Sequence, residues 1–283
     1  MAVHAHPDDE SSQTGGTLAR YAAAGHRTVL VTCTDGRLGD GANGVKAGEP
    51  GHDTRQVAEH RSRELDLAAT ALGISDLVKL GYPDSGAVDG AEPGTNVADP
   101  GSFSAMAPGP IVQRIEQVMR SYRPDVVVTY PPNGLSGHPD HIRVHETVAA
   151  AHRHVLRSGG FSYTDDEGVA QLQRPPKLYY IALSTSQLRA VADSVRAAFG
   201  PDAWVPQPDM ATDDSAITTV IDVAEFWAPK LRALSAHSSQ ADAVLLLQMF
   251  ELAAQHMGAG HVETYVRAYP ADAAATVEDD LFD

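Results

Sequence analysis

Thr28-Val29-Leu30-Val31-Thr32-Cys33-Thr34 is an uncharged run of β-branched and apolar residues. A strand reads this way when both of its faces are buried, as in the middle of a parallel sheet. Asp125-Val126-Val127-Val128-Thr129-Tyr130 repeats the signature downstream. Met1 to Ala5 and Asp76 to Leu80 read as two further strands. Between them the spacing becomes helical. Leu18, Tyr21 and Ala22 recur at helical intervals from Ser12 to Ala24, and Gly25 sits where a C-cap belongs. From Thr54 to Leu72, Val57, Leu65, Ala68 and Leu72 share one side, with Gly73 ending the helix. Ile111 to Tyr122 and Pro139 to about Leu156 are helices as well, and Pro139 suits a first helical position. Strands alternating with helices through residue 150 predict βαβ units. The expected fold is therefore α/β, a Rossmann-like, mostly parallel sheet with helices on both faces.

The rest of the chain reads less regularly. Leu178 to Leu183, Ala216 to Ile221 and Val262 to Tyr269 are expected strands. Ser186 to Phe199, Ala224 to Ala236 and Ala241 to Gln255 are expected helices. Gly81 to Pro108 and Gly159 to Pro176 read as loops, and the segment 84–107 as the one that shapes substrate choice. We expect a single domain over 1–283: a core over about 1–160, a part over about 161–270 that completes the site, and a frayed acidic tail over 271–283.

The 283 residues are 43% hydrophobic, enough for a large core, and carry a formal net charge of -16. So acidic a chain argues against nucleic acid and anionic membrane as partners. A lone cysteine, Cys33, allows no internal disulfide and suits a reducing cytoplasm. The N-terminus has no basic region followed by an apolar run, so no signal peptide is expected.

Chemistry concentrates in two stretches, each just past an expected strand. His4-Ala5-His6-Pro7-Asp8-Asp9-Glu10 gathers two histidines and three carboxylates; Gly137-His138-Pro139-Asp140-His141 opens a helix. Neutral imidazole with carboxylate is the ligand set of a catalytic zinc, which keeps one position open for water. Adjacent Asp8 and Asp9 point in different directions in a turn, so one can ligate while the other serves as general base. His138 and His141 share a helix face, with His145 one turn on. Spacing alone does not say which histidine ligates. In open α/β sheets ligands bind at the carboxyl ends of the strands, where both stretches fall. A metal-dependent hydrolase is expected.

At these residues the chain resembles the PIG-L/LmbE-like zinc-dependent N-deacetylases, which include the mycothiol-pathway deacetylase and the mycothiol S-conjugate amidase. The likeness rests on Ala5-His6-Pro7-Asp8-Asp9-Glu10 and Gly137-His138-Pro139-Asp140-His141. It continues more weakly through Arg61-x-x-Glu64-Leu65, Gly81-Tyr82-Pro83-Asp84-Ser85-Gly86 and Ala236-His237-Ser238-Ser239-Gln240. The resemblance implies His6, Asp9 and His141 as ligands of Zn2+, with Fe2+ also suited. It implies Asp8 as general base, His138 at the oxyanion, and Asp140 orienting a histidine. Arg61 and Asp84 match positions that hold sugar hydroxyls, and His237 lies in a shared motif. Ser136 stands where the mycothiol-type enzymes carry a tyrosine, which leaves Tyr82 or Tyr130 to supply a phenol if one is needed. The implied reaction is removal of an N-acetyl group from a small amino sugar or glycoside. The alternatives are amidase action on a thiol conjugate, tailoring of a secondary metabolite, or a non-catalytic metal- or sugar-binding protein.

Overall fold

The computed structural model describes residues 1–86, 99–256, 261–271 and 277–282, with only the backbone course of 253–256. The chain runs β1 (Ala2–His4), α1 (Asp9–Ala23), β2 (Val29–Thr34), α2 (Thr54–Leu72), β3 (Asp76–Tyr82), α3 (Pro108–Tyr122), β4 (Val126–Thr129) and α4 (Pro139–Arg157). It continues through β5 (Phe161–Thr164), β6 (Ala170–Gln173), β7 (Lys177–Ala182), α5 (Thr185–Phe199), β8 (Thr219–Asp222), α6 (Trp227–Ala236), α7 (Ala241–His256) and β9 (Val262–Tyr269).

One seven-stranded sheet has the order β3-β2-β1-β4-β7-β9-β8. The first five strands are parallel, and β9 runs antiparallel to both β7 and β8. The sheet is thus mostly parallel, as expected. The antiparallel strand comes from the C-terminal part, which extends the same sheet as the N-terminal strands. The buried run in β2 obeys the two-residue alternation of a strand. Val29, Val31 and Cys33 join the core that includes Ile111 and Ile115 of α3 and Val144 and Val148 of α4. Leu30 points to the opposite face, with Leu18 of α1, Leu65 and Leu72 of α2, and Ala233 of α6. Helices therefore cover both faces.

Some boundaries differ from the sequence reading. The first helix begins at Asp9, not Ser12, so Asp9 and Glu10 lie in its first turn with Asp8 as N-cap. The expected loop from Gly159 to Pro176 contains the antiparallel hairpin of β5 and β6. Most of its residues are exposed, so no apolar alternation announced it. Of the segment 84–107, residues 87–98 lie outside the described residues, as do 272–276 and 283 of the acidic tail. Among the described residues, no helix is long and apolar enough to cross a membrane.

The chain leaves β1 towards β2 and β3 on one side, then returns to β4 on the other. The topological switch point is the crevice between β1 and β4, at their carboxyl ends. Both histidine stretches open into it.

Candidate active site

After β1 the backbone is pinned to its neighbours. The Ala5 N–H donates to Tyr130 Oη at 2.9 Å, and the Ala5 carbonyl accepts from Thr34 N at 2.8 Å and Thr34 Oγ1 at 3.0 Å. The His6 N–H then donates to Asp9 Oδ2 at 2.8 Å. Between them Asp8 takes φ 112°, ψ −30°. A non-glycine residue held there costs on the order of 1–3 kcal/mol and persists only when its surroundings enforce it.

Three donor atoms from the two loops form a nearly equilateral triangle. His6 Nδ1 and Asp9 Oδ2 are 3.4 Å apart, His141 Nε2 and Asp9 Oδ2 3.4 Å, and His141 Nε2 and His6 Nδ1 3.3 Å. A tetrahedral ion with bonds of about 2.0–2.1 Å has ligand–ligand edges of roughly 3.3–3.4 Å. The triangle therefore has the size of one face of such a centre. Each member is oriented from behind. His6 Nε2 faces Asp140 Oδ2 at 3.2 Å and Asp84 Oδ1 at 3.5 Å, which places the ring proton on Nε2 and the lone pair on Nδ1. His141 Nδ1 donates to the Gly134 carbonyl at 3.0 Å, leaving Nε2 as the free lone pair. Gly134 has φ +67°, and a Cβ there would meet His141 Cβ at 2.8 Å, so glycine permits this close approach. Asp9 Oδ2 accepts from Tyr130 Oη at 2.7 Å, and Oδ1 from Gln13 Nε2 at 2.8 Å.

The charge balance fits a cation. Asp9, Asp84 and Asp140 are buried around His6. Burial alone would lower the His6 pKa, but Asp84 and Asp140 hold it well above its ordinary value. Burial would raise Asp84, but His6 keeps it well below the usual carboxylate range. Beside the triangle, two further donor groups among the described residues lie in mutual reach: His6 with His138 and His141, and His6 with Asp84 and Asp140. Imidazole and carboxylate donors of this kind suit zinc or ferrous iron.

Asp8 directly precedes Asp9 of the triangle in the chain. Its Oδ2 accepts from Arg61 Nη2 at 2.7 Å. Burial pushes its carboxyl up to about 7, against the opposing pull of Arg61. Arg61 is itself buried and also donates to the Pro7 carbonyl at 2.6 Å and the Gly36 carbonyl at 2.9 Å. His138 caps α4, and its Nδ1 accepts the Asp140 N–H at 3.1 Å. That bond requires an unprotonated Nδ1, so the ring is neutral with its proton on Nε2. Burial, reinforced by His6 and His141, holds the His138 pKa well below its ordinary value, in the same sense.

The other residues singled out by sequence fall as follows. Asp140 is buried behind His6, where its Oδ1 also accepts from Ser85 Oγ at 2.5 Å. Asp84 is buried and accepts from Gly86 N at 2.8 Å and Leu38 N at 3.3 Å. Ser136 is exposed on the turn before His138. His145, one turn after His141, donates from Nδ1 to the Tyr130 carbonyl at 2.9 Å and packs on Tyr180, away from the triangle. His4 is hydrogen bonded to Thr14 Oγ1 at 2.8 Å beneath the loop. Tyr130 already uses its hydroxyl on Asp9 and Ala5, and the Tyr82 ring packs against Phe103 at 5.3 Å. Sequence reasoning missed Gln13 and the engagement of Tyr130 with Asp9. Gln13 stands four residues after Asp9, one helical turn, and that spacing was the available signal.

A mostly parallel sheet with a histidine–carboxylate cluster at its switch point defines the class, and the comparisons narrow it. Residues 1–152 match the family model "PIG-L: GlcNAc-PI de-N-acetylase". A curated relative, the 1D-myo-inositol 2-acetamido-2-deoxy-alpha-D-glucopyranoside deacetylase of Kineococcus radiotolerans, is 42% identical over 255 residues, covering 85% of this chain and 68% of the relative. The chain belongs to the PIG-L family and is an enzyme of its N-deacetylase class. Among solved structures, the N,N'-diacetylchitobiose deacetylase of Pyrococcus horikoshii aligns with TM-score 0.58 at 16% identity, covering 94% of this chain and 82% of that one. The 4-carboxy-2-hydroxymuconate hydratase from Pseudomonas putida aligns equally well, with TM-score 0.58 at 16% identity over 96% and 97% of the two chains. These two likenesses show the fold alone; chemistry must be argued from the site.

Proposed function

We propose that the protein hydrolyses the N-acetyl group of a small amino sugar glycoside, most closely a glucosaminyl-inositol such as the curated relative's name describes. The triangle of His6 Nδ1, Asp9 Oδ2 and His141 Nε2 carries this reading. These three atoms would hold a divalent ion, Zn2+ or Fe2+. When bound, the ion supplies an acidified water and a Lewis acid for the acyl oxygen.

The chain's own residues do the rest. Asp8 removes a proton from the attacking water and returns it to the departing amine. His138 donates its Nε2–H to the acyl oxygen as negative charge develops there. A neutral His138 serves as a hydrogen-bond donor in this step, so the proton delivered to the amine comes from Asp8. Asp140 and Asp84 keep the His6 proton on Nε2, and Arg61 fixes the Asp8 carboxylate. Toward the sugar, Ser136 offers a hydroxyl at the rim, while Arg61 and Asp84 act from beneath the glycoside. The single cysteine is consistent with a cytoplasmic enzyme, and the charge of -16 with a small-molecule substrate rather than nucleic acid or membrane.

The test is acetate release from N-acetylglucosaminyl-inositol and a panel of N-acetyl glycosides, with and without chelator. Chelator-sensitive release supports the proposal. Release confined to thiol conjugates would favour the amidase alternative. Turnover of an unsaturated acid without acetate release would indicate hydratase chemistry on the same fold.

A further inference from the structure

The strained residue Asp8 is held by its backbone as well as by its side chain. Glu10, in the first turn of α1, is fully buried. Its Oε2 accepts the Asp8 N–H at 3.0 Å. Its Oε1 accepts from Ser11 Oγ at 2.5 Å and lies 2.8 Å from His237 Nε2. A carboxylate oxygen only accepts, so His237 donates from Nε2. His237 is also fully buried, 227 residues away in sequence, at the C-terminal end of α6. Its Nδ1 is buried without a hydrogen-bond partner among the described residues, so the Glu10 bond is the polar contact that holds this ring.

The same segment is anchored to α2, the helix that carries Arg61. Ser239 donates from N at 2.9 Å and from Oγ at 2.7 Å to Glu64, one turn after Arg61. One frame of α2 and α6 thus grips Asp8 twice: Arg61 takes the carboxylate, and His237 through Glu10 takes the amide.

We infer that Glu10 and His237 are positioning residues for the deacetylation: His237 fixes the Glu10 carboxylate, which pins the Asp8 amide and so aims the Asp8 side chain. The inference rests on the reading of Asp8 as the base. Without an acceptor for its amide, Asp8 relaxes from φ 112° toward ordinary negative values, and its carboxylate swings away from the reacting atoms. A displacement of about 1 Å costs on the order of 10²-fold in rate.

The experiment is a double-mutant cycle on the full chain reconstituted with zinc, reading kcat, KM and bound metal. H237L is expected to lower kcat about 10- to 100-fold, with KM and metal content unchanged. H237Q, which restores an N–H donor toward Glu10, is expected to recover most of that loss. In a D8N background H237L is expected to remove little of the residual rate, because its effect runs through Asp8. An equal loss in both backgrounds, equal losses for H237L and H237Q, or a kcat for H237L like that of the parent would each overturn the inference. A fully active D8N would remove Asp8 as the base and the inference with it. An inactive D8N beside an unaffected H237L would remove the positioning role alone. If H237L does not fold, E10Q takes its place in the same cycle.

Discussion

His141 Nε2 stands 3.3 Å from His6 Nδ1, although 135 residues separate them in the chain. The sheet brings them together. β1 and β4 are neighbours, and each ends just before one of the two histidine loops. Asp9 Oδ2 closes the triangle because α1 begins directly after the first loop. The hydrolytic reading follows from that closure and from Asp8 beside it.

Replacing Asp8 by Asn keeps the shape of the side chain and removes its basicity. We expect kcat to fall about 10²- to 10⁴-fold while bound metal stays the same. Steady-state kinetics with metal analysis checks this, and undiminished turnover would remove Asp8 as the base.

Tyr130 touches Asp9 from outside the triangle, donating to Oδ2 and accepting from the Ala5 N–H. Tyr130→Phe deletes both bonds in a buried setting. Outer partners of a ligand are typically worth 10- to 100-fold in metal affinity. A competition titration against a chromogenic chelator should show a loss of that order, and kcat at saturating metal should fall far less.

His138 has two roles that one substitution separates. His138→Ala removes an N-cap on α4, worth about 1 kcal/mol. It also removes the donor proposed for the acyl oxygen, worth on the order of 10²- to 10³-fold in kcat. A small fall in melting temperature with a large fall in kcat is expected; the reverse pattern would leave His138 as a cap only.

The strands and helices were legible because their patterns are local. TVLVTCT has no polar face, and Gly73 and Pro139 mark helix ends through their own backbone limits. The two loops were legible because His, Asp and Pro crowd into a few residues. Which nitrogen faces the triangle was not legible. That depends on Asp140 and Gly134 lying behind His6 and His141, which only the packed fold sets. The partners of the Arg61 guanidinium, Pro7, Asp8 and Gly36, were not legible either. A helix periodicity gives the face on which a residue sits, not the partner it meets across a loop. The β5–β6 hairpin was missed for the same kind of reason, since it has little buried apolar side to leave a pattern.

Stability should depend on pH through His152, about three turns beyond His141 on α4. Its Nε2 donates to the Pro176 carbonyl at 2.8 Å. Burial lowers its pKa, with the Pro176 bond opposing. The unfolded chain therefore takes up this proton more readily, and stability falls as pH drops below the ordinary histidine range near 6.5. Thermal melts at pH 7 and pH 5 should show a larger fall for the parent than for His152→Gln. An equal fall in both would show that His152 does not contribute.

His6, Asp9 and His141 are expected to bind one divalent ion together. The most direct measurement is equilibrium zinc binding to the parent and to His141→Ala, with X-ray absorption at the metal edge on the loaded parent. We expect one ion per chain, nitrogen and oxygen donors at about 2.0–2.1 Å, and affinity lost by orders of magnitude in the variant. Binding of one equivalent by His141→Ala as tightly as by the parent would contradict it.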